Sequence, residues 1–235
     1  MRLFIVKNIE PSVLTLSEEE SKHIVRVLRL KVGDSIHLTD GKGTLCEAEI
    51  IELIHKKCKV KITSTLKNFE KRDYYLHIAI CPTKSNERFE WFLEKATEIG
   101  IDEITILIGE NSERRKFNMN RYQKILIAAV KQSVKAYVPK LNEPVLVKDF
   151  ILKNTFNGLK IIAHCNTLFE RKNITSLLQK KSNSLILIGP EGDFSPTEIE
   201  FALQHHFEST LLSNSRLRTE TAAVIVASYV SFINF

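Results

Sequence analysis

The sequence predicts an α/β chain in two parts, a small strand-rich N-terminal portion and a larger portion in which buried strands alternate with helices. Three observations carry this. Up to residue 64 the strand-like segments are short and alternating, with hairpin punctuation such as Asp40-Gly41-Lys42-Gly43. Residues 66–72, Leu-Lys-Asn-Phe-Glu-Lys-Arg, are polar and aperiodic and read as a linker. Beyond them, continuous apolar runs at 76–81, 104–108, 159–164, 185–188 and 209–212 are separated by helical patterns. That alternation is the mark of a parallel sheet covered on both faces. The expected domains are therefore 1–70 and 73–235.

In order, residues 2–6 read as a strand. Ser17-Glu18-Glu19-Glu20 is a capping box, and Ile24, Val25 and Leu28 follow at helical spacing until Gly33-Asp34. Strands are expected at 35–39, 44–54 and 57–64. Lys57, Lys59 and Lys61 share one face of the last, either as a solvated edge or as a phosphate-tracking face. In the larger part, Phe89, Phe92, Leu93, Ala96 and Ile99 make one helical stripe, closed by Gly100. Tyr122, Ile125, Leu126, Ala129 and Val130 make a second. Residues 145–150 form a weaker apolar stretch. Ser195-Pro196-Thr197-Glu198 is a capping box with Pro at the first helical position. Residues 219–233 read as a largely apolar, buried final helix.

At 235 residues and 43% apolar, a sizeable core is available. The net charge of +6 is a mild basic bias, compatible with a polyanionic partner. Residues 1–72 carry 14 Lys and Arg against 10 Asp and Glu, and residues 73–235 carry 20 against 18, so the smaller part holds most of the excess. Cys46, Cys58, Cys81 and Cys165 are scattered without a CxxC pair, which argues against structural zinc and for idle thiols in a reducing compartment. No metal site is expected. No run approaches about 20 apolar residues and no leader-like segment opens the chain. The expected location is the cytoplasm.

The Rossmann, P-loop, nucleophile-elbow and HExxH patterns are all missing. What remains is three loops after three late strands, at 164–166, 189–194 and 212–218. Brought together at one sheet edge, they would form a pocket of backbone polar groups and aliphatic walls suited to an adenine-like ring.

A set of segments then resembles one family. They are His23-Ile24-Val25-Arg26-Val27-Leu28-Arg29 with Gly33-Asp34, and Glu90-Trp91-Phe92-Leu93-Glu94-Lys95-Ala96-Thr97-Glu98-Ile99-Gly100. Ser112-Glu113-Arg114 follows, then Gln132-Ser133 ahead of Val138-Pro139. Ile188-Gly189-Pro190-Glu191-Gly192 and Leu217-Arg218-Thr219-Glu220-Thr221-Ala222 complete the series. Over nearly its whole length the chain resembles the RsmE family of SPOUT methyltransferases. These transfer a methyl group from S-adenosylmethionine to N3 of a uridine in 16S ribosomal RNA of the small subunit. The resemblance implies a PUA-like β-barrel at 1–70, a SPOUT domain with a trefoil knot at 73–235, and a homodimer with the site near its interface. Asp193 stands where the family usually has a second Gly, Lys131 where it has Glu, and Lys135 where it has Arg.

The same resemblance implies site residues. S-adenosylmethionine would lie against His164, Cys165, Asn166, Leu187, Ile188, Gly189, Pro190, Gly192, Leu211, Leu212, Ser213, Leu217 and Thr219. Arg218 and Arg114 are the candidates for stabilising a uracil anion. Glu220 is a base or a helix cap. Arg26, Arg29, Lys84, Arg88 and Arg115 are the RNA-binding candidates. A ribose 2′-O-methyltransferase and a catalytically inactive RNA-binding module are the alternatives.

Overall fold

The computed structural model describes residues 2–9, 12–54 and 57–235. The chain divides into two compact units, Met1–Lys71 with Ile127–Val138, and Arg72–Leu126 with Pro139–Phe235.

The first unit holds β1 (Leu3–Ile5), β2 (Val13–Thr15), α1 (Glu18–Lys22), β3 (Ser35–Thr39), β4 (Leu45–Ile54) and β5 (Lys57–Leu66). They form a five-stranded sheet in the order β1-β3-β4-β5-β2, with β1 parallel to β3 and the other pairs antiparallel. Alternation does the work of packing. Ile36 and Leu38 of β3, Cys46, Ala48 and Ile50 of β4, and Cys58 and Val60 of β5 close on Phe4 and Ile24. Ser17 caps α1 by accepting the Glu20 amide, 3.3 Å away. The expected α-helix does not continue through Leu28. It widens into a π-helical turn at His23–Val27, with the Leu28 amide reaching back to the His23 carbonyl. The wider turn buries Ile24 but leaves Val25, Arg26 and Val27 outside. Short strand β2 was not anticipated, and β5 runs two residues past 64.

Residues 134–138 belong to this unit as well. Thr39 Oγ1 donates to the Ala136 carbonyl at 3.2 Å, and Lys42 bridges to Tyr137. Lys131 is ion-paired with Glu20.

In the second unit, β6 (Leu76–Ile80), α2 (Asn86–Ile99), β7 (Glu103–Ile108), the first part of α3 (Met119–Ser133, which passes into the first unit at Ile127), β8 (Lys140–Leu146) and α4 (Val147–Leu152) come first. The rest are β9 (Leu159–Ala163), β10 (Lys172–Asn173), α5 (Ile174–Leu177), β11 (Ser184–Ile188), α6 (Pro196–Gln204), β12 (Glu208–Leu211) and α7 (Thr219–Asn234). The strands form one sheet, in the order β10-β12-β9-β11-β6-β7-β8, with every pairing parallel. The continuous apolar runs are explained by two covered faces. Ile186 and Ile188 of β11 point into the layer of Phe89, Phe92, Leu93, Tyr122, Ala223 and Val226. Leu185 and Leu187 point the other way, toward Val147, Ile151, Ile199 and Ala202. Gly100 ends α2 with φ of 126°, and Arg72 fills the space where its side chain would be, donating to the Gly100 carbonyl at 2.6 Å.

The 145–150 stretch divides between the end of β8 and the start of α4. Strand β8 contains Pro144, which cannot donate to a ladder, and β8 lies at the sheet's edge where that deficit is harmless. Two-residue β10 at the opposite edge was likewise unforeseen. Among the described residues no helix is long and apolar enough to cross a membrane.

Candidate functional site

Strands β12, β9 and β11 are neighbours in the sheet, and their register sets Thr210, Ala163 and Ile188 level with one another. The loops that follow them therefore leave the same sheet edge at the same height. Between them lies a cavity of about 340 Å³, within the size range of small-molecule sites. Its apolar walls include Ile188, Leu212, Leu217 and Ala222, and its polar rim includes Glu191, Asp193, Arg216 and Arg218.

Two local devices hold the cavity's shape. The Ser195 and Glu198 side chains and amides bond reciprocally, starting α6 directly after the 189–194 loop. Buried Thr219, at the first turn of α7, donates to the Gly189 carbonyl at 3.0 Å. That bond ties the last helix to the β11 loop across 30 residues of chain.

Of the residues expected to hold a cofactor, His164, Cys165, Ile188, Gly189, Pro190, Leu211, Leu212, Ser213, Leu217 and Thr219 line this cavity together. Three expected residues do not line it. Leu187 points to the opposite face of β11. Asn166 accepts the Leu168 amide at 2.9 Å and closes a local turn. The Gly192 carbonyl accepts from Asn111, 3.2 Å away. Buried His164 shares a hydrogen bond with Ser209 Oγ at 2.7 Å through Nε2, while its Nδ1 has no partner among the described residues. Burial lowers its pKa from the ordinary imidazole value, so the ring is neutral at pH 7.

Of the three catalytic candidates, Arg218 alone lines this cavity. Arg218 is exposed on the cavity wall, in the residue that precedes α7. Arg114 lines a different concavity, with Asn86, Lys116, Phe117 and Arg121. Its guanidinium donates to the Lys116 carbonyl at 3.0 Å, to the Thr83 carbonyl at 3.4 Å, and to Asn86 Oδ1. It also stacks over Phe117 and Tyr122. Glu220 is buried in the first turn of α7, 4.0 Å from Arg88, and its Oε2 has no hydrogen-bond partner among the described residues.

The RNA-binding candidates fall on both units. Arg26 and Arg29 are exposed on the first, Arg29 with φ of 53° just after the π-helical turn. Lys84, Arg88 and Arg115 are exposed on the second. The Lys84 amide donates to Glu191 Oε1 at 2.9 Å and its ammonium pairs with Glu113 at 2.9 Å. Glu191 and Asp193, both in the 189–194 loop expected to border the pocket, line the cavity. The only sequence signal for Asp193 is a residue with a side chain at a turn that favours glycine.

Known proteins are similar to this chain over most of its length. Residues 70–231 match the RNA methyltransferase domain family, and residues 16–63 match the RNA methyltransferase PUA domain family. The ribosomal RNA small subunit methyltransferase E of Buchnera aphidicola subsp. Acyrthosiphon pisum is 30% identical, over 89% of this chain and 84% of that protein. The chain belongs to the ribosomal RNA small subunit methyltransferase E family. A probable rRNA-methyltransferase from Porphyromonas gingivalis superposes with a TM-score of 0.93 at 37% identity, over 100% of this chain and 98% of that one. A putative methyltransferase from Legionella pneumophila, solved with S-adenosylmethionine bound, superposes at 0.87 with 28% identity, over 99% and 97%.

Proposed function

We propose that this chain transfers the methyl group of S-adenosylmethionine to N3 of a uridine in 16S ribosomal RNA of the small subunit. The observation that carries this reading is the cavity built by three loops on adjacent parallel strands. Its residues fit the donor. Leu212, Leu217 and Ala222 offer apolar walls for an adenine ring, and Gly189, Pro190 and Leu211 line the same cavity. The unpartnered Nδ1 of neutral His164 is a further polar atom beside the site.

When bound, the donor supplies a sulfonium methyl that is already activated. The chain's own task is to position the acceptor and stabilise charge. Uracil N3 attacks only after losing its proton to solvent water, which leaves negative charge on the flanking carbonyl oxygens. Arg218, permanently charged and exposed on the cavity wall, is placed to meet that charge. Arg114, with its guanidinium already engaged by Thr83 and Asn86, serves as an RNA anchor in the neighbouring concavity. Glu220 acts as a carboxylate at the α7 N-terminus that orients Arg88.

RNA contact uses Arg26 and Arg29 of a PUA-like barrel at 1–70, with Lys84, Arg88 and Arg115 of a SPOUT domain at 73–235. The uridine is everted or single-stranded, because pairing hides N3. A trefoil knot in the C-terminal SPOUT domain, homodimerisation and a cytoplasmic location complete the reading. The fully exposed Phe235 and the 80% exposed Phe232 at the end of α7 favour a partner surface.

The test is transfer of labelled methyl to small ribosomal subunits, followed by primer extension. N3 methylation blocks pairing and stops the polymerase. Labelled product that is read through ends the N3 assignment in favour of a ribose methylation, and no labelled product with no cofactor binding leaves an RNA-binding module.

A further inference from the structure

The carboxylate that makes the most connections at the cavity is one with no role so far. Asp193 has φ of 63°, in the region that glycine enters freely and aspartate tolerates. Its amide donates to the Pro190 carbonyl at 3.0 Å and closes the turn. Its Oδ1 accepts the Phe194 amide at 2.8 Å. Its Oδ2 accepts the Cys165 amide at 2.7 Å, from the loop after β9. Its carbonyl accepts from Asn111 Nδ2 at 3.1 Å, from the loop after β7, and the same amide group reaches the Gly192 carbonyl.

Three loops thus converge on one residue, and two of its connections cross long stretches of chain. Glycine would make the same turn with less backbone strain, yet would leave the Cys165 amide without its acceptor. Cys165 and Asp193 both line the cavity. The bond between them therefore sets the distance between two of its walls.

We propose that Asp193 is a positioning residue for the methyl donor: its carboxylate locks the Cys165 loop to the Gly189–Phe194 turn and so preforms the cavity. This rests on the reading of that cavity as the S-adenosylmethionine site. A cavity held open in advance spares the ligand the ordering of a loop.

The experiment compares wild type with Asp193→Gly and Asp193→Asn. It measures calorimetric affinity for S-adenosylmethionine and S-adenosylhomocysteine, melting temperature, hydrogen exchange at the Cys165 amide, and iodoacetamide alkylation of Cys165, which is free and exposed. In Asp193→Gly the melting temperature holds or rises, since the turn relaxes. Both ligands bind about tenfold more weakly, the size of one net hydrogen bond at the upper end of its range. The Cys165 amide exchanges and its thiol reacts faster. Asp193→Asn keeps an acceptor and the left-handed turn, and recovers most of the affinity.

A glycine variant that binds within twofold of wild type, with unchanged Cys165 exchange, overturns the proposal. An asparagine variant as weak as glycine overturns it too, because charge and not the bond would then be responsible. Wild type that binds neither ligand sinks the cofactor reading itself and the proposal with it, whereas the glycine variant's Cys165 exchange still reports whether the lock exists.

Discussion

Acid sensitivity offers a test with a worked magnitude. His77, near the start of β6, is buried, with Nε2 2.7 Å from Thr105 Oγ1 and its ring edge-on to Phe150. Burial pushes its pKa down from 6.5 to about 4, against the opposing pull of Glu103, whose carboxylate lies 4.0 Å from Nδ1. Lys140 opposes protonation as well. The unfolded chain thus binds a proton near pH 6.5 that the folded chain refuses until about pH 4. Stability from this group is complete above pH 6.5 and falls as pH drops through that window. Between pH 7 and pH 5 the loss works out to about 2 kcal/mol. Glu103, held near 2 by Lys140, Tyr75 and Asn142 despite its burial, stays ionised throughout and adds little above pH 5. Urea unfolding of wild type and His77→Gln at both pH values isolates the effect. The variant is less stable at pH 7, because it loses ring packing, but its loss between pH 7 and pH 5 is smaller than wild type's by about 2 kcal/mol. Equal losses in the two proteins would refute the assignment.

Arg218→Ala should lower turnover by about 10²–10³-fold, with a much smaller change in donor affinity, as steady-state kinetics and calorimetry would read; equal loss of both would make the residue structural. Val134 ends α3 at φ of 55°, with the Lys135 amide bonded to the Val130 carbonyl at 3.1 Å, a cap geometry that suits Gly or Asn. Val134→Asn should therefore raise stability by up to about 1 kcal/mol in urea unfolding. Lys131→Glu sets two carboxylates together where Lys131 and Glu20 now pair, both largely shielded from solvent. It should cost about 1–2 kcal/mol, less at high salt, in the same assay.

Much of the fold was legible because its signals are local. Helical spacing placed Phe89, Phe92, Leu93 and Ala96 on the buried face of α2, and the Ser195–Glu198 box set the start of α6. Two-faced apolar runs gave five of the seven strands of the parallel sheet. Strands β8 and β10 escaped because edge strands need neither continuous apolar residues nor an unbroken row of donors. The π-helical turn at His23–Val27 escaped because its residues also satisfy an α-helical pattern.

The residues alone determined that three late strands end in polar loops and that those loops could share a crevice. Tertiary structure decided which side chains reach it. Leu187 was turned away by strand alternation, Arg114 was drawn into a separate concavity by partners at 83 and 86, and Asp193 was joined to Cys165 over 28 positions. Periodicity and capping act over a few residues, whereas the partner of a loop amide is set by which strands lie side by side, and that order is fixed only when the whole sheet assembles.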